Sequence, residues 1–215
     1  MKGDVVLIDD AQRPAARALV DVWLPEAMGR GGRFAVTVAG ESGSGKSTTA
    51  RALAEEFAAR GLGCAVFQQD DYFRLPPKTN DRARREDISW VGPGEVRLDL
   101  LDEHLAAARA GAARVTKPLV IYAEDRITEE TIGLSGVAVA VAEGTYTTLL
   151  ANADRRVFIA RTYHETLEDR RRRGREPFDP FIERVLEIEH RIISPHRARA
   201  DAVIDGDYRV EFLRP

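Results

Sequence analysis

A short stretch near the start of the chain, AGESGSGKSTTA (39–50), has the residue types and spacing to hold a phosphate. Gly40 is followed, after four residues, by Gly45, Lys46 and Ser47. In that pattern backbone N–H groups converge on one point, because glycines put no Cβ in the way. A helix beginning there adds the positive end of its dipole. Gly40, Glu41, Ser42, Gly43, Ser44, Gly45, Lys46, Ser47 and Thr48 are therefore expected to bind a nucleotide, with Lys46 on the terminal phosphates and the Ser47 hydroxyl on magnesium. The plainer alternative is a Gly/Ser turn before a helix. The flanks favour the first reading: RFAVTVAG (33–40) reads as a buried strand. KSTTARALAEEFAARG (46–61) reads as a helix with Ala50, Leu53, Ala54 and Phe57 on one face and Gly61 as its stop.

Two further acidic features have positions suited to chemistry. QQDDYF (68–73) directly follows an apolar run, GCAVFQQ (63–69). Of Asp70 and Asp71, one can take a proton from an attacking hydroxyl and one can hold magnesium; the bland reading is a turn or helix cap. Glu143 closes the strand GVAVAVAEG (136–144), where a carboxylate serves as the second acidic element for magnesium. RRRRGR (170–175) packs five arginines into six residues and reads either as a phosphate clamp or as a solvated helix face. Tyr72 either stacks on an acceptor or packs in the core, and Trp90 is placed to line a pocket. His164 and His190 read as surface or helix residues rather than ligands.

The pattern also excludes. A GTP switch would carry Asn-Lys-x-Asp and Asp-x-x-Gly, and neither occurs. An ATPase motor would end its apolar strand in Asp-Glu, whereas this one ends in Ala142-Glu143. A kinase must align an acceptor hydroxyl with the γ-phosphoryl group and exclude water. An acid after the second strand, a long loop and an arginine-rich lid meet that need.

The elements that must position these groups alternate. Helices are expected at 10–28 (weakened near its end by Pro25), 46–61, 96–111 and 179–193. Strands are expected at 5–9, 33–40, 63–69, 118–122, 136–144, 155–160 and 200–205. YRVEFL (208–213) alternates and suits a sheet edge, with 5–9 as a candidate partner. RLPPKTNDRARREDISWVGPGE (74–95) reads as a long polar loop. Strands alternating with helices predict an α/β fold, a parallel sheet with helices on both faces, whose ligands sit beyond the carboxyl ends of the strands. At 215 residues with 44% hydrophobic content, one domain is expected over 1–215, with an N-terminal appendage (1–33) and a lid near 162–180. The net charge of −3 offers no global attraction for nucleic acid. No apolar run of about 18 residues predicts a membrane span. The N-terminus lacks a secretory pattern, and the single cysteine, Cys64, suits burial in a reducing cytoplasm.

In these residues the chain resembles the phosphoribulokinase/uridine kinase family of P-loop kinases from about residue 34 to 206. GESGSGKST (40–48) resembles its phosphate loop, QQDDYF its Gln-Asp-Ser/Asp-aromatic-aromatic segment, Pro93 its acceptor-loop proline and AVAVAEGTY its strand ending in Glu-Gly. RRRRGR resembles its lid and ISPHRARADAVID (193–205) the approach to the last strand beside the adenine. The resemblance implies a P-loop NTPase fold with a short arginine-rich lid, ATP and Mg2+ as cofactors, Asp70 as base with Asp71 beside it, and Arg173 and Arg175 on the transferred phosphoryl group. Asp70, Asp71, Tyr72, Trp90, Arg126 and Arg175 would face the acceptor. Three departures stand out. Val120-Ile121 occupies the place of the Tyr-Asp that frames a nucleoside; Arg126 is kept without a nearby histidine. The lid is short. The acid that holds ribose hydroxyls is shifted, with Glu95 and Asp99 as candidates. The implied partner is a small hydroxylated acceptor, a nucleoside or sugar; a pantothenate-like compound, an antibiotic or a nucleotide sugar are alternatives, as is a regulator that binds ATP without transfer. A homo-oligomer is compatible with the sequence.

Overall fold

The computed structural model describes residues 12–167 and 179–214. Its main sheet has six strands: β1 (Phe34–Gly40), β2 (Gly63–Gln68), β5 (Val137–Glu143), β6 (Arg155–Ile159), β7 (Ala202–Ile204) and β8 (Val210–Phe212). The order is β2-β5-β1-β6-β7-β8, parallel throughout except for β8, which pairs antiparallel with β7. The expected edge strand thus pairs with the last parallel strand, and 5–9 lies outside the described residues.

Side chains alternate across the central strands and sort by size. Phe34, Val36 and Val38 of β1 and Val139 and Val141 of β5 face α1 (Gln12–Gly29) and α2 (Lys46–Ala59), against Leu19, Trp23, Leu53 and Phe57. The opposite face carries Ala35, Ala140 and Ala142, and the room they leave is filled by Phe67, Tyr72, Tyr146 and by Leu101 and Leu105 of α4 (Leu98–Arg109). Helices therefore cover both faces, as the apolar strands require. Helix α1 runs through Pro25 to Gly29 instead of failing there; Trp23 and Ala27, on either side of the proline, are buried in the core and hold the turn. Cys64 packs against the same core, and burial pushes its thiol up to about 12.

Two expectations are corrected. The stretch 74–95 is not an open loop: it folds into α3 (Pro77–Glu86) and two 3₁₀ turns, Ile88–Trp90 and Pro93–Glu95. The run 118–122 belongs to a longer strand, β3 (Arg114–Ile121), which leaves the main sheet. It forms an antiparallel hairpin with β4 (Arg126–Gly133), a strand the apolar pattern did not mark. The last helix is α5 (Pro180–Ile193), started by Asp179, whose carboxylate accepts from Phe181 N at 2.9 Å.

The chain leaves β1 through α2 toward β2, while β5 leads to β6 on the other side of β1. The carboxyl end of β1 is thus a switch point, where ligands bind in sheets of this kind.

Candidate active site

Three segments meet at that end of the sheet. The first is the glycine loop between β1 and α2. Gly43 and Gly45 take left-handed φ angles of 79° and 97°. At Gly40 a Cβ would stand 2.6 Å from Ser44 Oγ and 3.0 Å from the Ile159 carbonyl, so only glycine lets β1 turn into the loop beside β6. Ser44 N donates to Glu41 O (3.1 Å), and Lys46 Nζ donates to the same carbonyl (2.9 Å). The Ser44 hydroxyl is buried without a hydrogen-bond partner. Two left-handed glycines leading into a helix that begins at Lys46 give the loop the form that cradles a phosphate.

The second segment is the 3₁₀ turn Gln69–Tyr72 after β2, and it separates the two aspartates. Asp70 is exposed, while Gln69, Asp71 and Tyr72 are buried. The third is the end of β5. Glu143 pairs in register with Val38 of β1 and Gln68 of β2. Burial, and then the charge of Asp70, push its carboxyl up to about 7, against the pull of Lys46 and a hydrogen bond from Ser47. Glu143, Ser47, Lys46 and Asp70 thus share one electrostatic neighbourhood. Gly144 closes it: a Cβ there would stand 2.2 Å from Gln69 Cβ. The close approach lets Gln69 Oε1 accept from Tyr146 N at 2.7 Å and fixes the turn that carries Asp70 to the end of β5.

The model of the phosphoribulokinase/uridine kinase family matches residues 35–163, the span that holds all three segments. The chain belongs to that family. Its members are ATP-dependent kinases, phosphotransferases acting on hydroxyl groups. A bifunctional alpha-galactosidase/sucrose kinase of Mediterraneibacter gnavus is 31% identical over 189 residues, 81% of this chain and 20% of that protein, so the chain spans about a fifth of that relative. A uridine kinase of Deinococcus deserti is 28% identical, covering 80% of this chain and 86% of its own. Among solved structures, D-glycerate 3-kinase from Cryptococcus neoformans superposes with a TM-score of 0.62 at 14% identity, covering 95% of this chain and 99% of that one. Phosphoribulokinase from Rhodobacter spheroides gives 0.60 at 13%, covering 80% and 70%. Both share the P-loop kinase fold.

Two residues expected at the acceptor, Asp71 and Tyr72, are buried and engaged by other side chains. Asp71 is 1% exposed: its Oδ2 lies 2.6 Å from Lys117 Nζ and its Oδ1 accepts from Val120 N (3.0 Å). Lys117 also reaches Glu130 (2.7 Å), so Asp71 fastens the hairpin to the turn instead of facing solvent. Tyr72 is fully buried, and its hydroxyl meets His104 Nδ1 at 2.9 Å; of the two readings, packing in the core is the one seen.

The remaining candidates scatter. Trp90 is half-buried and donates from Nε1 to Asn80 Oδ1 (2.8 Å). Arg126 is exposed and paired with Glu124 (2.7 Å). Glu95 is wholly buried and saturated: it accepts from Asn80 Nδ2 (2.5 Å), Arg84 Nε (2.6 Å) and Gly92 N (2.8 Å), which leaves no oxygen free for a ribose. Asp99 is exposed in the first turn of α4. Arg173 and Arg175 lie outside the described residues.

Sequence reasoning missed three groups. Lys117 is a charged residue at a buried position of β3, and that mismatch with the strand's pattern was its signal. Arg84 joins Glu95 to Glu189 of α5, and nothing local marked it. His190 is a helix residue, on α5, whose contact with Glu41 of the phosphate loop had no local signal, while His164 is exposed.

Proposed function

We propose that the protein transfers the γ-phosphoryl group of ATP to a hydroxyl of a small, sugar-like acceptor, with Asp70 as the general base. The observation that carries this is the sorting of the turn Gln69–Tyr72. Its other polar side chains are buried and engaged, while Asp70 alone projects beside Glu143 and Lys46. A base must reach its proton without being locked in a pair.

The loop residues 40–48 would hold the triphosphate, and Ser47 and Glu143 would hold magnesium. Among the described residues no three His, Cys, Asp or Glu side chains gather into a metal cluster. One carboxylate, a hydroxyl and phosphate oxygens suit magnesium, which keeps most of its shell from water and substrate. The ion supplies charge neutralisation on the nucleotide. Lys46 offsets charge on the terminal phosphates, and Arg173 and Arg175 are proposed to do so from the lid.

A sugar-like acceptor is favoured over uridine by the hairpin. Val120 is buried and Ile121 half-buried at the place of the Tyr-Asp pair, and neither side chain can hydrogen-bond a base. The Mediterraneibacter relative is a sucrose kinase by name, which agrees. The test is ATP consumption against a panel of sugars, sugar phosphates, nucleosides and pantothenate, with product mass determined. One sugar dominating the panel supports the proposal. A nucleoside dominating it moves the acceptor to the uridine kinase class. Acceptor-independent hydrolysis alone favours an ATP-binding regulator.

A further inference from the structure

A carboxylate within a phosphate loop opposes the ligand the loop is built for. Glu41, second in the loop, is such a group and is 5% exposed. Left unbalanced, it would set a buried negative charge beside a polyphosphate. Its two oxygens are both engaged by partners outside the loop. Oε2 accepts from the backbone N–H of Tyr163 (2.6 Å), beyond β6, and Oε1 from Nδ1–H of His190 on α5 (2.7 Å). The carbonyl of the same residue stays with the loop, accepting from Ser44 N and Lys46 Nζ. The neighbouring rim is fastened too, with Thr166 Oγ1 donating to Ser42 O at 2.9 Å. Tyr163 backs this arrangement, its ring centroid 5.8 Å from that of His190.

We propose that His190 is a positioning residue of the phosphate loop: together with the Tyr163 N–H it holds the Glu41 carboxylate turned away from the bound polyphosphate. The proposal rests on residues 40–48 being the nucleotide cradle. His190 acts through Glu41 and touches no phosphate. Losing it leaves a buried carboxylate with half of its hydrogen bonds, free to turn toward the phosphates.

A contact that only pinned α5 to the sheet would lower stability on removal, whatever the charge at position 41. A shielding contact makes a different prediction, because its loss is harmless once the charge is gone. MgATP binding is therefore measured by calorimetry on the full chain as wild type, His190→Ala, Glu41→Gln and the double variant, with KM and kcat for ATP alongside. His190→Ala is expected to weaken MgATP binding and raise its KM about tenfold, the scale of one hydrogen bond to a charged group, with kcat held within about twofold. Glu41→Gln binds MgATP more tightly than wild type, and the double variant recovers most of the loss. Wild-type affinity in His190→Ala, or a double variant no better than His190→Ala, overturns the proposal. If His190→Ala does not fold, Glu41→Gln decides alone: tighter binding supports the shielding role and tenfold weaker binding overturns it. A wild-type chain that binds no MgATP removes the cradle reading itself, an outcome distinct from all of these.

Discussion

Asp70 and Asp71 are the same residue type, adjacent in sequence, yet they sit in different environments. Asp70 is exposed and meets Glu143 only through its charge, whereas Asp71 is held by Lys117 and Val120 N. Asp70→Asn is expected to lower kcat by about a hundredfold or more, the scale of losing a general base, with MgATP affinity unchanged. Asp71→Asn has the opposite profile. It leaves the Lys117 ammonium buried with Glu130 as its remaining carboxylate partner and should cost about 3 kcal/mol of stability, read from urea unfolding, with a much smaller loss of kcat. If both variants lost only kcat, the division of roles would be wrong. The sequence showed that an acid belongs here, since its place after an apolar strand is a local fact. It did not show which aspartate faces out, because Lys117 lies 46 residues away and no local signal joins the two. Tyr72 is similar: its partner His104 arrives from α4, 32 residues on.

Elements with an apolar stripe or run were legible, and elements stabilised by polar contacts were not. Strands β1, β2, β5 and β6 fall within a residue or two of their expected spans. Helix α3 has a single buried residue, Asn80, so no hydrophobic period announced it. It is held by the buried Glu95 carboxylate, which gathers Asn80, Arg84 and Gly92, and by Thr79 and Lys78 N–H groups on Asp125 of the hairpin. Strand β4, RITEETIG, has only two apolar side chains, Ile127 and Ile132, five residues apart, and is half solvated, so no period-two apolar pattern marked it. Glu95→Ala removes the centre of that network and strands the Arg84 guanidinium with Glu189 alone. Amide exchange across 77–96 should then speed up by about tenfold or more, the scale for losing over about 1.4 kcal/mol of local stability. KM for the acceptor rises and MgATP affinity is retained, because the phosphate loop lies on other elements. Unchanged exchange in 77–96 would show that α3 is held by something else.

At the scale of the whole molecule, the fold class follows from alternation, but the order of the strands does not; that order is what brings β5 between β1 and β2 and so places Glu143 beside Ser47. The same burial sets opposing pH dependences. His104 and His196 are held below the usual imidazole value by burial, each accepting or exchanging a hydrogen bond with a hydroxyl, Tyr72 and Thr148 respectively. A depressed value means that the unfolded chain binds protons first. The stability these histidines contribute is present above about pH 6.5 and is lost as pH falls through their folded values. Glu143 has the reverse sign. Its folded value, about 7, lies above the ordinary carboxylate value of 4.5, so its contribution is present at low pH and is lost as pH rises from 4.5 through 7. The urea midpoint of the nucleotide-free wild type, taken relative to Glu143→Gln, should therefore fall as pH rises from about 4.5 to about 7 and level off above that. Glu143→Gln lacks this loss and keeps the acid-side loss from the histidines, because the neutral amide keeps the buried site uncharged at every pH. A difference between the two proteins that stays constant from pH 4.5 to 7 would mean that the charge beside Ser47 does not limit stability in that range.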